Sequence, residues 1–360
     1  MTPVSNLHSV AHRFNPVSLK LAREYRGLTK SELAQKLNLS PSAISQFERG
    51  QIRPNVQTIA HLSIALGFPS EFFGRSMGED LVSVDQCHFR SLKTCPLSER
   101  RKMVGAGNLI GMIVELLDAE VHLPHEQITP NVRYEAETNN EIEEAAARLR
   151  EAWGLGQGPI DNLIHLLESK GVLVFHLQED CKRLDAFSLW FQHRPFIFLN
   201  LEKGSASRSR FNAAHELGHL VLHPDFLPGD STQEDEANKF ASAFLMPRET
   251  FLLECPRRLV WGHFRELKLR WKVSLAALVR RARDLQVISQ DTYRRAYFLI
   301  NKYGWRLNEP DEPSLELPTI LPGGLELLSR AGWTLSSIAD RLSISERDLR
   351  WLAFTEGAAI

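Results

Sequence analysis

The stretch Phe211-Asn212-Ala213-Ala214-His215-Glu216-Leu217-Gly218-His219-Leu220-Val221-Leu222-His223 decides the reading of this chain. Its apolar residues recur at helical spacing, and residues four apart on a helix share a face. His215 and His219 therefore turn two imidazoles to one side, where they can hold one metal ion, with Glu216 adjacent. Zinc at such a site lowers the pKa of a water toward about 7. A neighbouring carboxylate can then take that proton and pass it to a leaving amine. The pattern His-Glu-x-x-His turns up by chance in roughly a few per cent of chains of this kind, so its surroundings must decide.

Upstream, Gly171–Leu177, Ala186–Gln192 and Arg194–Leu201 are rich in β-branched and aromatic residues and read as strands, after a helix over Ile160–Lys170. The last strand is equally suited to the interior of a sheet or to an edge that holds a peptide. Downstream, Gln233-Glu234-Asp235-Glu236-Ala237-Asn238 opens a second helix that runs to Leu245. A third ligand must come from a separate element. The alternative of a Gly and a His further along the first helix fails, because Asp225 stands where the further histidine would fall. A glutamate of the second helix, Glu234 or Glu236, is the better choice. His223 shares a face with His219, but as a fourth protein ligand it would close the site, so it reads as a hydrogen-bonded histidine at the helix end. His165, His176, His193 and His263 carry no spacing argument and read as structural. Arg208 and Arg210 read as loop residues more readily than as substrate contacts.

HELGHLVLH followed by EDEANKFASAFLMP resembles the ImmA/IrrE family of metallopeptidases, over roughly Ile160 to Tyr303. The resemblance implies an α+β zincin-like metallopeptidase domain with Zn2+ as cofactor. It implies His215, His219 and Glu234 as metal ligands and Glu216 as the catalytic residue. Asn238 follows Glu234 by one helical turn, where its amide would orient a ligand. The resemblance also implies a protein substrate, a repressor-type regulator.

Residues 1–75 carry nine basic against four acidic residues, a net +5 in a chain whose total is −1. That asymmetry suits a nucleic-acid-binding module. Thr29 and Glu32 form a capping box for a helix over Lys30–Leu37, and Ser40-Pro41 starts another that stops at Gly50. Thr29–Ala34 with Leu39–Gly50 resembles the XRE, or phage-repressor-like, helix-turn-helix. The outward positions of its second helix include Ser42, Ser45 and Gln46, short polar groups of the kind that enter a major groove. Gln46 suits a bidentate contact to adenine. Lys30, Arg49 and Arg53 suit phosphates. Such modules usually read paired half-sites of an operator in double-stranded DNA, so a homodimer is expected.

The fold expected is multidomain. An all-α helix-turn-helix domain (residues 1–75) is followed by a helical linker region (76–155), the α+β domain (156–305) and a helical C-terminal region (306–360). The linker region holds an apolar, glycine-containing run over Met103–Leu117 and an amphipathic helix over Glu141–Trp153. The last region begins with EPDEPSLELP. Its stretch Gly332–Leu349 echoes the helix-turn-helix rhythm, but Asp340, Glu346 and Asp348 suit a protein contact better than phosphates. No apolar run is long enough to span a bilayer, and the start of the chain does not read as a secretory signal. Cys87, Cys95, Cys181 and Cys255 are scattered without a paired spacing, which points to a reducing, cytoplasmic setting. Two functions fit. One is a DNA-binding regulator whose zinc domain cleaves a repressor-like partner. The other is a regulator or antitoxin-like protein whose zinc domain senses or binds without proteolysis.

Overall fold

The computed structural model describes residues 3–77, 81–89, 95–128, 138–176, 185–200, 205–223 and 231–354. Leu177, Cys181, Leu201 and Asp225 lie outside the described residues.

The first unit is helical: α1 (Pro3–His12), α2 (Pro16–Tyr25), α3 (Lys30–Leu37), α4 (Pro41–Glu48) and α5 (Val56–Leu66). The starts of α3 and α4 follow from their caps. Thr29 and Glu32 satisfy each other's backbone amides at α3, and the Ser40 hydroxyl accepts from Ala43 N ahead of Pro41 at α4. Between them Asn38 takes the left-handed conformation (φ 53°), which turns the chain sharply. Leu33, Ala34, Leu37, Ile44 and Phe47 are buried beneath.

The segment read as a linker is part of the core. It supplies a short strand β1 (His88–Phe89) and then α6 (Leu97–Val121), 25 residues long. Three glycines let α6 be approached closely. A Cβ at Gly105 would lie 2.8 Å from Tyr25 N, one at Gly107 3.2 Å from Phe198, and one at Gly111 2.4 Å from Phe191. One helix thus touches both the first unit and the sheet.

The α+β unit follows with α7 (Asn139–Ala152), α8 (Leu163–Ser169), β2 (Leu173–His176), β3 (Ala186–Phe191), β4 (Arg194–Leu199), α9 (Ala206–Leu222) and α10 (Ser231–Leu245). The sheet order is β1-β3-β4-β2, with only the β2–β4 pair parallel. β4 is therefore an interior strand, which removes it as an edge for a peptide. Strand alternation divides the two faces. Phe187, Leu189, Phe191, Phe196 and Phe198 pack into the core shared with α6. Ala186, Ile197 and Leu199 pack into the core shared with α9 and α10. That second core is completed by α11 (Arg248–Glu254), α12 (Trp261–Trp271), α13 (Leu275–Asp284) and α14 (Gln290–Lys302).

The acidic stretch after α14 works as a strap. Glu309 accepts from Leu275 N at the start of α13, Glu312 from Ser207 N at the start of α9, and Glu316 from Leu163 N and Ile164 N at the start of α8. Each places a negative charge at a helix N-terminus, where it is stabilising. Lys268, Arg265 and the buried Arg210 pair with the same stretch.

The C-terminal helices α15 (Ile320–Arg330), α16 (Leu335–Leu342) and α17 (Glu346–Ala353) repeat the plan of α2–α4. Thr29 and Thr334 start eight-residue helices with capping boxes, and Ser40 and Ser345 cap the next pair. Asn38 and Ser343 share the left-handed turn, at φ 53° and 55°. Each of these pairs is separated by the same number of positions. The repeat docks on the first unit: Arg26 donates to both oxygens of Asp348 at 2.6 and 2.7 Å, and Tyr25 Oη to Asp348 at 3.1 Å. Among the described residues no helix is long and apolar enough to cross a membrane, and no disulfide forms.

Candidate metal centre

α9 packs along α10 at Gly218. A Cβ there would lie 3.1 Å from the Phe240 ring and 3.2 Å from Ala237 Cα. The glycine between the two histidines therefore sets how closely the glutamate-bearing helix approaches. At this crossing the structure brings His215, His219 and Glu234 together, with one potential ligand atom of each within 4.8 Å of the others. The two Nε2 atoms are 3.1 Å apart. His215 Nε2 lies 3.5 Å and His219 Nε2 3.4 Å from the Glu234 carboxylate. Tetrahedral zinc bonds of about 2.0–2.1 Å separate ligand atoms by about 3.3 Å, so this donor set fits that ion in spacing as well as in chemistry.

The groups around the cluster fix its orientation. Asn238 Nδ2 donates to Glu234 O at 2.7 Å, which turns its Oδ1 toward His215 Nδ1 at 3.2 Å. With an ion held at Nε2, the Asn238 oxygen would keep the His215 proton on Nδ1, whereas in the metal-free cluster Nε2 faces the Glu234 carboxylate. His219 Nδ1 lies 3.1 Å from His223 Nδ1, and His223 Nε2 lies 2.8 Å from Glu236. Glu236, the rival ligand, is thus engaged with His223 rather than with the cluster. His223 caps the end of α9.

Burial pushes the His219 imidazole down to about 4, against a smaller upward pull from Glu234. It is neutral near pH 7, the form a metal needs. Burial pushes Glu234 upward, but hydrogen bonds from His215 and His219 outweigh it and hold the carboxylate well below its usual range.

Glu216 is fully buried, and Ser188 Oγ on β3 donates to its Oε2 at 2.8 Å. Sequence reasoning missed Ser188. The available signal was parity, since Ser188 falls on the same side of β3 as Ala186, the side that faces α9. Arg208 pairs with Asp185, and Arg210 pairs with Glu316 while its guanidinium donates to Ile160 O. Both are structural.

In the first unit, Ser42, Arg49 and Arg53 are exposed, and Ser45 and Gln46 are half-buried. Lys30 Nζ reaches Ser45 Oγ at 3.3 Å and Glu48 at 3.4 Å, at the edge of the face that α4 presents. Arg53 donates to His12 O at 3.1 Å.

Residues 19–73 match the family model described as a helix-turn-helix, and residues 167–283 match the one described as an IrrE N-terminal-like domain. The chain joins these two modules. The second match takes in α9 and α10, and with them the whole candidate centre. Over 66 residues the chain is 39% identical to multiprotein-bridging factor 1 of Candida albicans and 36% identical to that of Debaryomyces hansenii. These stretches cover 18% of this chain and 42% and 43% of those proteins, so the chain spans less than half the length of the curated relatives it matches. The matches place a helix-turn-helix region ahead of a metallopeptidase-like domain in one chain.

Proposed function

We propose that this chain is an operator-binding regulator whose IrrE N-terminal-like domain is a zinc endopeptidase acting on a repressor-type protein. The observation that carries the reading is the crossing of α9 and α10, which gathers two imidazoles and a carboxylate at ion-binding spacing beside a buried glutamate. His215, His219 and Glu234 would hold zinc, with Asn238 orienting His215. Zinc supplies Lewis acidity toward a water and a peptide carbonyl. The Glu216 carboxylate accepts the water proton and returns it to the leaving nitrogen. The Ser188 hydroxyl, donating to Oε2, holds that carboxylate in place. Lys30, Ser42, Ser45, Gln46, Arg49 and Arg53 form the DNA face, with Gln46 reading bases and the cations contacting phosphate. Two copies reading paired half-sites give a homodimer. The cytoplasm suits the buried thiols Cys87 and Cys255, the latter pushed up by burial to about 12.

A second reading, a zinc sensor without proteolysis, draws on the burial of His215, Glu216 and His219, each at most 1% exposed. Glu216→Gln separates the two. Cells carrying the wild-type chain are compared with cells carrying the variant by sequencing new protein N-termini. A peptidase yields termini that the variant abolishes, while zinc content and operator binding are kept. Identical termini in both strains would leave the sensor reading.

A further inference from the structure

A second face of α10 carries Asp235, Lys239 and Ser242, and it opens on a cavity of about 490 Å3. The start of α7, the first residue of α11 and the end of α13 close the other sides. This volume lies within the range of clefts that take small-molecule ligands.

The charges lining it do not balance. Lys239, Arg248, Arg280, Arg281 and Arg283 face three carboxylates, those of Glu143, Asp235 and Asp284. Arg281 takes both oxygens of Glu143. Asp235 is shared by Lys239 at 2.5 Å and Arg280 at 3.2 Å, and Asp284 by Arg280 at 3.8 Å and Arg283. Arg248 has no hydrogen bond or ion pair among the described residues. Two positive charges are left over in a partly enclosed space, where they repel each other more strongly than in water.

Two further features point to an anion. Ser242 is only 7% exposed and lines the cavity, yet among the described residues no group is hydrogen-bonded to its hydroxyl. Asn139 and Asn140, the first two residues of the 14-residue α7, line the same cavity, so the N-terminus of that helix, already capped by Thr138 and Glu141, borders it.

We propose that this cavity is a binding site for a phosphate-bearing small molecule. Arg248 and Lys239 supply the excess charge, the Ser242 hydroxyl donates to a phosphate oxygen, and the start of α7 adds its dipole. The site does not depend on the peptidase reading, although it shares α10 with Glu234 and Asn238.

The test is calorimetric titration of the full chain with inorganic phosphate and with adenosine triphosphate, each against sodium chloride of equal ionic strength. Saturable binding is expected. Arg248→Ala should weaken it by roughly tenfold or more, the loss of one charge-assisted hydrogen bond, and Ser242→Ala by several-fold. Arg248 is exposed and has no hydrogen bond or ion pair among the described residues, so its variant should melt with the wild type in chloride. Tighter binding of the triphosphate would identify a larger phosphorylated molecule, and equal binding the ion itself. Heats no greater than chloride gives, or equal binding by Arg248→Ala, would overturn the proposal.

Discussion

Asn238→Ala should weaken zinc binding by about 10- to 100-fold. The Asn238 amide has one orientation that serves both neighbours, with Nδ2 on Glu234 O at 2.7 Å and Oδ1 on His215 Nδ1 at 3.2 Å. Alanine removes both contacts at an imidazole with no solvent exposure. A buried donor left without an acceptor costs about 1–3 kcal/mol. The wrong tautomer would put the proton on the nitrogen that faces the ion, so the cost is felt when metal binds. Converted to affinity, about 1.4–2.8 kcal/mol is the 10- to 100-fold change typical of groups that orient metal ligands. Competition against a chromophoric chelator reads this directly, with operator binding as a control that should not move. Asn238→Asp keeps an acceptor for His215 and should stay within a few-fold of the wild type. If alanine binds zinc as tightly as asparagine, or if the aspartate is as weak as the alanine, the orienting role is wrong.

Four other outcomes follow from the same geometry. The zinc-free chain should lose stability as pH falls from 6.5 to about 4, because burial keeps His219 from taking a proton that the unfolded chain accepts. The loss reaches about 3 kcal/mol, with about 2 kcal/mol of it gone near pH 5. The depressed Glu234 carboxylate adds to it in the same direction at still lower pH, and denaturant titrations flat across this interval would contradict the assignment. Glu316→Ala leaves the buried Arg210 without its carboxylate and should destabilise the domain by about 3 kcal/mol or more, seen as a lower melting temperature. Gln46→Ala should relax preference at one base position at a cost of about 1–3 kcal/mol, measured on operator variants. Arg49→Ala should weaken all sequences alike and lower the salt dependence of binding by about one ion.

The parts of this fold that were legible in the sequence are those governed by neighbours along the chain. The caps Thr29, Glu32 and Ser40 act within one turn, and the two histidines needed only helical spacing. The unread parts join distant residues. Gly105, Gly107 and Gly111 look like weak points in a helix, yet each marks where Tyr25 or a sheet phenylalanine comes close. Glu309, Glu312 and Glu316 look like a solvated linker because the helix starts they cap lie 34 to more than 150 positions away. Ser188 sits among apolar strand residues, and only the alternation of β3 against α9 gives its hydroxyl a purpose. Between Glu234 and Glu236 the spacing alone left the choice open, and the pairing of His223 with Glu236 is what separates them.

X-ray absorption at the zinc edge, on the chain loaded with one equivalent of zinc, tests the centre itself. The account predicts one tightly held ion with two imidazole nitrogens and carboxylate oxygen at about 2.0–2.1 Å, plus one further light ligand. A shell containing sulfur, or zinc lost on simple gel filtration, would contradict it.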